Sequence, residues 1–188
     1  MKQSNIPLYL TLFRLIVSPL FFPFLLFFFL PSNIFAFNVT LAVLFLAIGL
    51  TDFFDGYFAR LWGQETSVGK MLDHVADKVF IASTLIALVA VKKLWFFWAI
   101  LLIGRELFVA GMRQVACEHH VVIHVSWLGK CKTAMQIVCL AWIIANPDHI
   151  FALTASRWNM GELFLIIASI ALSFISARSY YQVFVQEN

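Results

Sequence analysis

Charge is scarce in this sequence. Only 12% of its 188 residues are Asp, Glu, Lys or Arg, where an ordinary soluble domain carries about 25%. Hydrophobic residues make up 62% and the mean hydropathy is +0.90. A soluble fold of this size cannot hide so much apolar surface, so lipid is expected to cover part of it. Cysteine is also sparse. Cys117, Cys131 and Cys139 form an odd set with no paired short spacing, which excludes a disulfide framework or a zinc motif and leaves small apolar fillers. Long linkers and internal repeats are missing too, so one domain over residues 1–188 is expected.

The net charge of +3 and a pI near 8.9 do not indicate nucleic acid. The basic residues lie at the ends of apolar segments rather than in one solvated patch. The first apolar stretch contains Arg14, Pro19 and Pro23 and has no small-residue cleavage site. It reads as a retained span, not a signal peptide.

What the sequence does have is six apolar stretches near the ~20 residues that a helix needs to cross a bilayer. They fall near Leu8–Leu30, Phe37–Phe58, Leu72–Val91, Trp95–Val115, Lys132–Ala145 with its preceding turn, and Gly161–Val183. None shows the two-residue alternation of a membrane barrel. The expected fold is all-α, a polytopic bundle of six transmembrane helices. The connections carry turn chemistry at Pro31-Ser32-Asn33, Gly63 to Thr66, Lys92-Lys93 and Asn146-Pro147-Asp148.

Six spans put both termini on one side. That side collects Lys2, Arg14, Arg60, Lys70, Lys78, Arg105, Arg113, Lys130, Lys132 and Arg178, against Lys92, Lys93 and Arg157 opposite. The excess of Lys and Arg makes it the cytoplasmic side. Trp95, Trp98 and Trp158 suit the membrane interface. Glu118-His119-His120 with His124 is too loosely spaced for a metal site and reads as a solvated turn.

Four carboxylates stand out. Asp52 and Asp55 are i,i+3 and share one face of the second helix; Asp73 and Asp77 are i,i+4 and share one face of the third. An ionised carboxylate in a membrane segment costs at least ~2.5 kcal/mol. Four together need positive charge, and oxygen-rich sites suit Mg²⁺ or Mn²⁺. Two helices offering two acids each could hold a pair of ions bridging phosphate oxygens. Gly56 beside the acids and Gly69 at the mouth of the third helix leave room for a nucleotide or a second backbone.

The spacing Asp52-x2-Asp55-Gly56-x2-Ala59-Arg60-x8-Gly69-x3-Asp73-x3-Asp77 resembles the signature of the CDP-alcohol phosphotransferases, eight fixed residues over 26 positions. The likeness extends to Asn5-Ile6-Pro7, Leu10 to Arg14, Gly104-Arg105-Glu106 through Arg113, Val125 to Lys130, and Lys132-Thr133 with Gln136. There it is similar to bacterial members that use glycerol 3-phosphate. His74 departs from the pattern, where proline is common, but lies between motif positions.

The resemblance implies a six-helix homodimer in the bacterial cytoplasmic membrane, with an active site open to the cytoplasm. It implies transfer of the phosphatidyl group of CDP-diacylglycerol to glycerol 3-phosphate, with release of CMP. Asp52, Asp55, Asp73 and Asp77 would hold two Mg²⁺ or Mn²⁺ ions, and Asp77 would be the general base. Asp52, Gly56, Ala59, Arg60 and Gly69 would bind the CDP-lipid. A phosphorylated acceptor needs cations, and Arg105, Arg113, Lys130 and Lys132 supply them on one side of the membrane. Inositol phosphate, inositol, serine or choline remain as acceptors within the family. A cation transporter using the buried acids is the alternative from another class.

Overall fold

The computed structural model describes the backbone of residues 19–61, 67–118, 127–146 and 157–187. It describes side chains at 19–50, 75–112, 114–115, 131–146 and 160–175. All the described regular structure is helical. Residues 19–29 form α1, followed by a 3-10 turn over Leu30–Ser32. Then come α2 (Phe35–Leu61), α3 (Ser67–Ala90), α4 (Phe96–Glu118), α5 (Trp127–Ala145) and α6 (Arg157–Glu187). The expected all-α class is found; the apolar stretches at 37–58, 132–145 and 161–183 lie inside α2, α5 and α6, and those at 72–91 and 95–115 overrun α3 and α4 by one residue each. Among the described residues no helix is long and apolar enough to cross a membrane.

Local chemistry sets the two described reversals. Between α1 and α2, Asn33 takes the left-handed conformation at φ 53° and its N–H donates to the Leu30 carbonyl at 3.2 Å. Asparagine tolerates that region better than most residues. At the end of α3, Lys92 is left-handed at φ 60°. Its N–H donates to Val89 O at 3.0 Å and the N–H of Lys93 donates to Leu88 O at 2.9 Å. This pair of bonds is the Schellman arrangement that consumes orphan helix carbonyls. It leaves Lys92 exposed and turns Lys93 inward, where it is 2% exposed.

The helices close into a ring. α5 packs against α2 and α6, α6 against α4, and α4 against α3. Aromatic rings complete the circuit: Phe45 of α2 stacks on Phe80 of α3 at 5.4 Å, and Phe22 of α1 lies 5.7 and 5.6 Å from the two. Leu85, Leu88, Leu140, Ile143, Ile144 and Ile166 fill the interior. The outward faces are apolar as well. Phe24, Phe28, Ile86, Ile100, Leu107, Phe108 and Phe164 are all exposed.

At the end of the ring where α2 and α6 begin and α5 finishes, four polar residues are buried together. The Lys93 ammonium donates to the Asn146 carbonyl, and Asn38 Nδ2 donates to the same oxygen at 3.3 Å. Asn146 Nδ2 donates to Glu162 Oε2 at 2.6 Å. Sequence reasoning placed Lys92-Lys93 and Asn146 in the turns between helices. Lys93 and Asn146 are instead internal, because a buried carbonyl at the end of α5 needs donors.

Candidate active site

α2 and α3 meet where the Phe45 and Phe80 rings stack at 5.4 Å. From the Phe45–Phe80 contact, Asp52 is seven residues further along α2 and Asp73 is seven residues back along α3. Seven residues are two turns less about 20°, or about 10.5 Å of rise. Backbone positions 52 and 73 therefore lie at equal rises from that contact, one on each helix. Asp55 and Asp77 follow within a turn of each.

The side chains of Asp52, Asp55, Gly56, Ala59, Arg60, Gly69, Asp73 and His74 lie outside the described residues, as do those of Arg113 and Lys130. Among the described residues no group of three His, Cys, Asp or Glu gathers as a metal site. The fit to a metal is therefore one of donor chemistry: four carboxylates, two per helix, are hard oxygen ligands of the kind that Mg²⁺ and Mn²⁺ take.

Asp77 is the member of the set whose side chain is described, and it is half-buried. It lies within Coulomb range of the Lys132 ammonium, as do Lys78 and Arg105. So α3, α4 and α5 converge on one charged cluster. Arg105 and Lys132 are buried. Arg105 Nε donates to the Ser173 carbonyl of α6 at 2.9 Å, and its Nη1 donates to Glu106 Oε1 at 3.0 Å. The same carboxylate oxygen pairs with Lys132. Two of the four expected basic residues are thus brought together beside the expected base. Arg113 continues along α4 two turns beyond Arg105, and Lys130 lies in the first turn of α5.

Three residues near this cluster were not singled out from sequence. Glu106, quoted from sequence only within a resemblance, bridges the two cations. Ser173 supplies the carbonyl that orients Arg105, and its own hydroxyl is buried without a partner. Gln136, noted only as part of a resemblance, is buried one turn from Lys132 with Nε2 unpaired. A polar residue at i+4 from a buried lysine is the signal that could have found it.

The described geometry thus sets two buried cations and a bridging carboxylate beside Asp77, on helices that neighbour the acid-bearing segments of α2 and α3. Residues 4–177 match the CDP-alcohol phosphatidyltransferase family, and the chain belongs to that family, whose activity is a transferase activity. Among curated proteins, the CDP-diacylglycerol–glycerol-3-phosphate 3-phosphatidyltransferase of Escherichia coli K12 is 40% identical over 153 residues, 78% of this chain and 80% of that one. The proteins of the same name from Escherichia coli O157:H7 and Shigella sonnei match to the same extent.

Proposed function

We propose that this protein transfers the phosphatidyl group of CDP-diacylglycerol to glycerol 3-phosphate, giving phosphatidylglycerophosphate and CMP. The observation that carries the acceptor is the buried pair Arg105 and Lys132 beside Asp77. Cations withdrawn from solvent into an apolar bundle take anionic partners; Glu106 is one, and the phosphate of a phosphorylated alcohol would be another next to the base. The name shared by the relatives agrees with it.

In this reading the acceptor hydroxyl attacks the lipid-linked phosphorus and the bond to the CMP oxygen breaks. Asp77 takes the hydroxyl proton. Arg105 and Lys132, with Arg113 and Lys130, hold the acceptor phosphate so that its hydroxyl meets the phosphorus in line. Asp52, Gly56, Ala59, Arg60 and Gly69 would bind the cytidine and pyrophosphate of the CDP-lipid. Asp52, Asp55, Asp73 and Asp77 would hold two Mg²⁺ or Mn²⁺ ions, which would supply charge neutralisation at the pyrophosphate.

The setting proposed is a bacterial cytoplasmic membrane, with six spans, cytoplasmic termini and a homodimer. Helices of 27, 24, 23, 19 and 31 residues bracket the ~20 that cover a hydrocarbon core. Exposed Phe, Leu and Ile on the outer faces suit lipid rather than water.

The deciding assay is CMP release from CDP-diacylglycerol by purified protein, with glycerol 3-phosphate, inositol phosphate, inositol or serine, with and without Mg²⁺ or Mn²⁺. Metal-dependent release with glycerol 3-phosphate alone is expected. Release with another acceptor keeps the family and overturns the pocket assignment. Metal transport into liposomes without CMP release would restore the transporter reading.

A further inference from the structure

Glu106 occupies an unusual place for a carboxylate in a pocket meant for an anion. Its Oε1 receives Arg105 Nη1 at 3.0 Å and also pairs with Lys132. The side chains of the two cations are 6% and 7% exposed, while that of Glu106 is 21% exposed. The carboxylate is thus the outer member of the trio and the cations lie behind it. Close by, Gln136 Nε2 and Ser173 Oγ are buried with no hydrogen-bond partner. Gln136 is one turn along α5 from Lys132, and Ser173 is fixed against Arg105 by its carbonyl.

A carboxylate and a phosphate are both recognised by Arg and Lys through charge-assisted hydrogen bonds. The carboxylate here offers one shared oxygen, whereas a phosphate group offers three. Buried donors without partners carry a desolvation penalty that a phosphate would relieve. We propose that Glu106 stands in for the acceptor phosphate between Arg105 and Lys132 in the free enzyme, and yields when the acceptor arrives. Gln136 Nε2 and Ser173 Oγ then donate to the phosphate.

This rests on the reading of Arg105 and Lys132 as the acceptor pocket, and it adds the basis of selectivity. An alcohol without a phosphate cannot displace the carboxylate and is held out. An acceptor that must displace an internal contact binds more weakly by the fraction of enzyme in which the contact is open.

The test is steady-state kinetics of the full-length protein in detergent–lipid micelles, with inorganic phosphate as competitor. In Glu106→Gln the KM for glycerol 3-phosphate and the Ki of phosphate should fall about three- to tenfold. The KM for CDP-diacylglycerol should stay unchanged, and turnover with glycerol should rise relative to wild type. A raised or unchanged KM for glycerol 3-phosphate would overturn the proposal, making Glu106 an orienting group. Glu106→Asp is too short to hold both cations; it carries the same expectation if the glutamine variant does not fold. Gln136→Leu should raise that KM about fivefold or more, and no change would remove Gln136 from the shell. Wild-type enzyme inactive with glycerol 3-phosphate would instead sink the acceptor assignment, a separate outcome.

Discussion

Lys93 and Glu162 should behave as one unit in stability, because neither charge has water to fall back on. Each is 2% exposed. Lys93 lies within Coulomb range of Glu162, and Asn146 joins them by accepting from the ammonium and donating to Glu162 Oε2. Replacing Lys93 by Met removes the ammonium and leaves the Glu162 carboxylate uncompensated, at about 3–5 kcal/mol. Glu162→Gln keeps an acceptor for Asn146 Nδ2 but strips Lys93 of its counter-charge, at about 1–3 kcal/mol. In the double variant both charges leave together, so its cost should fall short of the sum by about 2 kcal/mol. In a chain of 188 residues, 1 kcal/mol shifts Tm by about 2–4 °C. Lys93→Met alone should then lower Tm by about 6–20 °C, and the second change should restore part of it. Thermal unfolding of the four proteins in one detergent measures this. Single effects that add within about 0.5 kcal/mol would refute the coupling.

Asp77→Asn should reduce CMP release by about 10²–10⁴-fold, the span of a lost general base, in protein whose Tm is close to wild type; activity within tenfold would remove the assignment. Arg105→Lys keeps the charge but loses the fork that reaches Ser173 and Glu106 together; the KM for glycerol 3-phosphate should rise at least tenfold while that for CDP-diacylglycerol stays put. A Cβ on Gly161 would lie 3.2 Å from Trp142 Cζ2, so Gly161→Ala should force the indole aside and lower stability by about 1–3 kcal/mol, read as a drop in Tm with CMP release retained at 25 °C.

Of the candidate site, the meeting of Arg105 and Lys132 near Asp77 is what both the sequence and the described residues carry. Asp52 and Asp55, or Asp73 and Asp77, share a face whatever else the chain does, and a charge such as Arg105 inside an apolar run stands out. Glu106 was not legible as a partner. Neighbours in sequence diverge on a helix, so nothing in the spacing says that Glu106 reaches Lys132 on another helix. Lys93 and Asn146 misled for a different reason. Polar residues beside a turn look solvated until the ring closes over them, and the Asn38–Asn146 bond joins positions 108 apart. Burial of that kind is decided by tertiary contact, which local pattern does not encode.

The two polar clusters differ in how far they are closed off from solvent. Lys93 and Glu162 cancel. They join the end of α5 to the start of α6 through Asn146, and need nothing further except donors for Asn38 Oδ1 and Glu162 Oε1. The other cluster lies partly open: Arg105 and Lys132 are buried behind the more exposed Glu106 carboxylate that pairs with both, and Asp77 and Lys78 are within Coulomb range of Lys132. In the function proposed above, an acceptor phosphate would take that carboxylate's place. The acceptor phosphate is the anion that would also bring a hydroxyl to Asp77.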